Sequence, residues 1–129
     1  MLITGVHHIA IICSNYEVSK HFYTQTLGFQ VIHEAYRQDR DSYKLDLKVD
    51  DHTQLELFSF PNPPKRPTRP EACGLRHLAF TVTDVPAYHQ YLLDQNVPTE
   101  DIRTDEFTHK QFFFCLDPDG LPIEIYEHP

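Results

Sequence analysis

The sequence predicts an α+β fold of two tandem βαβββ modules with mixed strand pairing. Three observations predict it. "GVHHIAIICSNY" near the start is echoed by "GLRHLAFTVTDV" near the middle, each an apolar strand headed by histidine. "DHTQLELF" lies on "DGLPIEIY", Asp51 on Asp119 and Glu56 on Glu124. His8 to His77 is a shift of 69 and Glu56 to Glu124 a shift of 68, so one loop indel reconciles the copies. Self-similarity at a fixed offset is the mark of a duplicated unit.

The elements follow in order. Residues 4–13 carry the β-branched alternation of a strand. Ser14 and Glu17 fit a capping box that opens a helix through Leu27, with Gly28 placed to end it. "FQVIHEAY", "SYKLDLKV" and "TQLELFSF" read as three short strands between polar turns. "PNPPKRPTRPEACG" then holds prolines at 61, 63, 64, 67 and 70; they remove backbone donors and fix φ, which predicts a linker. The second copy begins with "LRHLAFTV". Asp84 caps a helix with Pro86 in its first turn and Val85, Tyr88 and Leu92 on one face. Residues 97–103, "KQFFFCLD" and "LPIEIYEH" supply three more strands, the last two joined by the turn "DPDG". The expected organisation is one domain, 1–129: module 1 over 1–60, linker 61–73, module 2 over 74–129.

Bulk properties exclude several classes. The 129 residues are 40% apolar, enough for a core, and no run approaches the ~20 apolar residues of a membrane span. A net charge of -8 argues against nucleic acid, which needs a basic surface. Cys13, Cys73 and Cys115 are odd in number and lack CxxC spacing, so neither a disulfide framework nor a cysteine zinc site is expected. No signal-peptide pattern opens the chain. The expected setting is the cytoplasm, with a small-molecule substrate and neither nucleic acid nor membrane as partner.

Strand alternation then selects side chains. Ile123 and Ile125 oppose Glu124; Leu55 and Leu57 oppose Glu56; Leu78, Phe80 and Val82 oppose His77. In the first strand His7 is in phase with Ile9 and Ile11 and reads as a strand-end histidine, while His8 is out of phase with them. The repeat agrees, since His77-Leu78-Ala79-Phe80 matches His8-Ile9-Ala10-Ile11. With helices over the apolar faces, His8, Glu56, His77 and Glu124 share the opposite side. Two imidazoles and two carboxylates form a mixed N/O set suited to a divalent ion, Ni, Zn, Co, Mn or Fe. Each of these residues taken singly has a plainer reading, a solvent-facing or core-satisfied side chain. The matched set in both repeats favours metal. Alternation puts Phe113 in one layer and Phe112 and Phe114 in the other, with core packing accounting for at least one and Phe112 or Phe114 a candidate cavity wall; Cys13 and Cys115 are expected as small buried hydrophobes.

"HHIAI" before a helix ending "FYTQTLGFQV", then "LELF", "RHLAF" and "DPDGLPIEIYE", resemble the vicinal oxygen chelate superfamily, nearest its small bacterial glyoxalase I-like members. The resemblance covers nearly the whole chain. It implies the glyoxalase/bleomycin resistance/dioxygenase fold, with the curved sheet around a metal held by His8, Glu56, His77 and Glu124. It also implies a homodimer whose metal sites each take one His/Glu pair from each chain. The implied activity is that of a lactoylglutathione lyase-like lyase or isomerase. It would act on an α-hydroxycarbonyl or hemithioacetal substrate through an enediolate, with Glu124, before Glu56, as the base. Ile12 and Phe60 stand where such proteins carry the Arg and Asn that hold glutathione, so glutathione use is not implied; Arg37, Arg40, Lys65 and Arg66 are the basic residues available instead. Other members imply alternatives: a metal-dependent thiol transferase, epimerase or dioxygenase, or a non-catalytic small-molecule binder.

Overall fold

In the computed structural model, which describes residues 2–129, each histidine-headed strand lies parallel to the last strand of its own module. The chain divides into two compact units, Met1–Lys65 and Arg66–Pro129. Unit 1 holds β1 (His8–Cys13), α1 (Tyr16–His21), β2 (Gln30–Arg37), β3 (Ser42–Lys48) and β4 (Gln54–Ser59) in a sheet of order β1-β4-β3-β2. Unit 2 holds β5 (Leu78–Val82), α2 (Val85–Asp94), β6 (Arg103–Thr104), β7 (Gln111–Leu116) and β8 (Pro122–Glu127) in the order β5-β8-β7-β6. Both sheets are mixed, with one parallel pair and otherwise antiparallel neighbours, and neither closes.

The duplication is visible in the strand registers. Ile9 faces Leu55 and Ile11 faces Leu57; in unit 2 Leu78 faces Ile123 and Phe80 faces Ile125. Leu45 opposite Leu57 and Leu47 opposite Leu55 become Phe113 opposite Ile125 and Cys115 opposite Ile123. These residues are the core of each unit: Leu45, Leu47, Leu55, Leu57, Phe113, Cys115, Ile123 and Ile125 are all buried. A slip of one residue would carry every one of them to the other face, so burial fixes the register.

Several boundaries differ from the sequence expectation. β1 begins at His8, not residue 4, because no partner strand extends beyond Gln54. The cap of α1 is Asn15, whose Oδ1 accepts from the Val18 amide at 3.2 Å, not Ser14. After one and a half turns the helix widens into a π turn, Phe22–Thr26, in which the Leu27 amide donates to the Phe22 carbonyl. Thr24 Oγ1 bonds back to the Lys20 carbonyl at 2.6 Å, the side-chain competition that loosens helical spacing. Gly28, at φ +82°, then turns the chain out. A 3-10 turn, Gln38–Arg40, was not anticipated. The strand expected over 97–103 reduces to β6 and a bridge from Thr99 to Cys115. By contrast α2 starts as read, with Asp84 accepting from the Ala87 amide at 3.0 Å. Asp117 organises the last turn by accepting from the Asp119 and Leu121 amides, with Gly120 at φ +79°.

Candidate metal centre

In unit 1 the first strand's leading position and the middle of β4 meet on the face opposite the helix. Glu56 stands opposite Ala10 on one side and Asp46 on the other. It is only 9% exposed, and a carboxylate so enclosed must be paired. Its Oε2 lies 3.4 Å from His8 Nδ1 and its Oε1 lies 3.6 Å from Lys44 Nζ. Lys44 also pairs with Asp46 at 2.6 Å; Asp46 first, then Glu56, holds the ammonium above its ordinary range. Unit 2 repeats the pair with other surroundings. His77, just before β5, sets Nε2 3.0 Å from Glu124 Oε2. Glu124 faces Ala79 and Phe114, and the His77 ring meets Phe114 edge-on with centroids 5.0 Å apart.

The structure therefore joins His8 with Glu56 and His77 with Glu124, each within one unit. The donor chemistry fits a divalent ion. Donors about 2.0–2.2 Å from such an ion sit about 3 Å apart when adjacent around it, close to both separations. Sequence reasoning passed over two neighbours. His7 Nδ1 lies 2.9 Å from His8 Nδ1, and ligand atoms of His7, His8 and Glu56 all fall within 4.8 Å of one another. His7, which the sequence reads as a strand-end histidine, precedes β1, so the pleat does not fix its side chain. Lys44 was legible, since "SYKLDLKV" buries Leu45 and Leu47 and so turns Lys44 toward Glu56's side.

The remaining candidates are placed as follows. Ile12 is exposed on β1 in phase with His8. Arg37 ends β2 over the rings of Phe58 and Phe60. Arg40 lies in the 3-10 turn and Lys65 is exposed. Arg66 donates to the carbonyls of Leu75 and Arg76, both at 2.8 Å, and so acts as a staple. Phe113 is fully enclosed, and Phe112 and Phe114 face Glu124's side. Cys13 and Cys115 are buried, and burial first, then Asp117, pushes the Cys115 thiol up to about 12, far from a nucleophile's range. No helix among the described residues is long and apolar enough to cross a membrane.

The sequence model of the Glyoxalase/Bleomycin resistance protein/Dioxygenase superfamily matches residues 5–125. The chain belongs to that superfamily. It is 59% identical to the uncharacterized protein YwkD of Bacillus subtilis (strain 168), over 98% of this chain and 99% of that one. The crystal structure of a glyoxalase family protein from Enterococcus faecalis superposes with a TM-score of 0.91 at 45% identity, covering 98% of this chain and 100% of that one. More distantly, the trypanothione-dependent glyoxalase I of Leishmania major gives a TM-score of 0.76 at 26% identity, covering 97% and 87% of the two chains. Divalent metals are common cofactors in the superfamily, and the His/Glu groups of this chain are of the kind that hold them.

Proposed function

We propose that the protein is a glyoxalase I-like metal-dependent lyase or isomerase acting on an α-hydroxycarbonyl compound or hemithioacetal. The observation that carries this reading is the repeated His/Glu pair: one enclosed carboxylate beside one imidazole, on the same face of each duplicated sheet. His8, Glu56, His77 and Glu124 would hold the ion, with each site in a homodimer taking one pair from each chain. Exposed Leu2, Ile3 and Val6 before β1, and Leu75 before β5, support pairing of chains by leaving apolar side chains to cover. When bound, a divalent ion supplies Lewis acidity that stabilises negative charge developing on substrate oxygens.

The chain's own residues divide the remaining work. Glu56 meets His8 at one oxygen and Lys44 at the other, so it is the anchored carboxylate. Glu124 meets His77 at Oε2 and stands beside the apolar edge of Phe114, so it is the carboxylate freer to swing. Glu124 Oε is the base: it takes the proton from the carbon beside the carbonyl and returns it to the neighbouring carbon. Phe112 and Phe114 line that side of the site with aromatic edges, so a substrate there meets apolar walls around Glu124. The apolar Ile12 and Phe60 offer neither charge nor hydrogen bond to a glutathione carboxylate.

The test is a turnover screen over methylglyoxal adducts of several low-molecular-weight thiols, with protein loaded in turn with Ni, Co, Zn and Mn. Turnover with at least one adduct, lost about 10²–10⁴-fold in Glu124→Gln, is the expected result. A flat panel with every metal removes the reading.

A further inference from the structure

One cation on the site face of unit 1 lacks a counter-ion. Arg37 closes β2 opposite Ser42, in the phase of Lys44 and Asp46. Its guanidinium carbon lies 5.0 Å from the Phe58 ring centroid and 5.7 Å from that of Phe60, two rings stacked within 9° of parallel. One Nη2 hydrogen bond reaches Ser42 Oγ at 2.9 Å, and the enclosed Nε has no hydrogen-bond partner. Among the described residues no carboxylate pairs with it. Unit 2 provides the control. Arg103 lies over Phe112 and Phe114 at 4.9 and 5.7 Å, but its Nε and Nη2 both bond Glu100 Oε1, at 3.1 and 2.8 Å.

A guanidinium half-withdrawn from water without an anion is costly, and an aromatic platform fixes its plane for a two-pronged partner. Position supplies the rest. Phe58 follows Glu56 by two residues on β4, about 7 Å along the same face. Lys44 joins the two places, with Nζ 5.9 Å from the Phe58 centroid and 3.6 Å from Glu56 Oε1.

We propose that Arg37, with Lys44 beside it, is a subsite for an oxyanion group, carboxylate or phosphate, carried by the substrate a few bonds from its vicinal oxygens. This rests on the reading of His8 and Glu56 as holders of the ion against which the vicinal oxygens sit. The favoured substrates are then acidic or phosphorylated α-hydroxycarbonyl compounds.

The experiment is calorimetric titration of zinc-loaded protein with three ligands sharing one core: neutral hydroxyacetone, dihydroxyacetone phosphate, and the carboxylate 5-hydroxy-4-oxopentanoate. At least one anion should bind about tenfold or more tighter than hydroxyacetone at low salt. That advantage should shrink as salt rises. The arm with the larger advantage names the group. In Arg37→Gln the ratio of anion to neutral affinity should fall to about one, and in Arg37→Lys to an intermediate value. Equal affinities in the wild type, or an undiminished ratio in folded Arg37→Gln, overturn the proposal. Should Arg37→Gln not fold, Arg37→Lys and the wild-type salt dependence decide. Zinc content separates the two readings. Protein that takes up no zinc yet shows the Arg37-dependent preference loses the metal chemistry and keeps this subsite. Zinc-loaded, Glu124-dependent turnover with no preference does the reverse.

Discussion

The two units share a backbone plan and differ in what surrounds the same His/Glu pair. Register for register, Lys44 and Asp46 of β3 become Phe112 and Phe114 of β7. Glu56 is consequently ringed by charge and Glu124 by aromatic edges. Duplication supplied two copies of one His/Glu pair, and divergence on the neighbouring strand gave one charged neighbours and the other aromatic ones. The core positions tolerated change of size only; the site-face positions changed in kind, because no packing constraint holds them apolar or polar.

The sharpest way to break this contrast is to neutralise each carboxylate in turn. Glu124→Gln should lower kcat about 10²–10⁴-fold while metal content stays near that of the wild type. Glu56→Gln should instead release metal on dialysis against a weak chelator, with lost turnover partly restored by excess ion. Steady-state kinetics beside elemental analysis reads both. Equal metal loss in the two variants would mean that Lys44 gives Glu56 no special position.

The shared plan is tested in the core. Leu45→Ala and Phe113→Ala strike the same register position in the two sheets. Each should cost about 2–5 kcal/mol in urea unfolding, the phenylalanine change toward the upper end. A cost under about 1 kcal/mol at either site would show that one sheet repacks where the other does not.

How much of this was legible follows the same division. Alternation placed Leu55, Leu57, Ile123 and Ile125 on one face and Glu56 and Glu124 on the other, since buried residues on a strand declare their phase. It could not place the His7 side chain, because phase has no meaning before the strand begins and only pairing with β4 fixes where that is. It also missed the π turn at Phe22–Thr26, which depends on one threonine hydroxyl reaching a carbonyl four residues back. The strand expected over 97–103 breaks between its bridge at Thr99 and β6, where the Phe114 amide donates to the Glu100 side chain and not to a backbone carbonyl. Arg37 was one of four basic candidates in the sequence. Only the rings under it and the carbonyls around Arg66 separate them.

The helix starts provide a smaller comparison. Asn15 and Asp84 each accept one amide of the first turn, at 3.2 and 3.0 Å. Replacement by Ala should cost about 1 kcal/mol in both units, read as a shift of the unfolding midpoint. A near-zero result at Asn15 would fit the short, π-ended α1 drawing its stability from Tyr16 stacking on Tyr43, with centroids 4.3 Å apart, and not from its cap.

The smallest expected effect distinguishes how the two helices are tied down. In unit 1 Glu34 Oε2 accepts from Lys20 Nζ at 2.8 Å and from the Tyr16 hydroxyl; Lys20 first, then Tyr16, holds its carboxyl below the ordinary range. In unit 2 Tyr88 of α2 is half-buried, and burial pushes its phenol up to about 12. A depressed carboxyl pKa stabilises the fold fully above the unfolded value of about 4.3, and that stabilisation disappears as pH falls through the lower, folded value. Glu34 is partly exposed, so solvent screening keeps the effect small. Wild type should therefore melt slightly above Glu34→Gln at pH 7, and the difference should shrink as pH falls below about 4.3, whereas Tyr88→Phe should shift melting equally at pH 7 and in acid. A Glu34→Gln difference that persists unchanged into acid would mean that packing, and not the ionised carboxylate, ties α1 to its sheet.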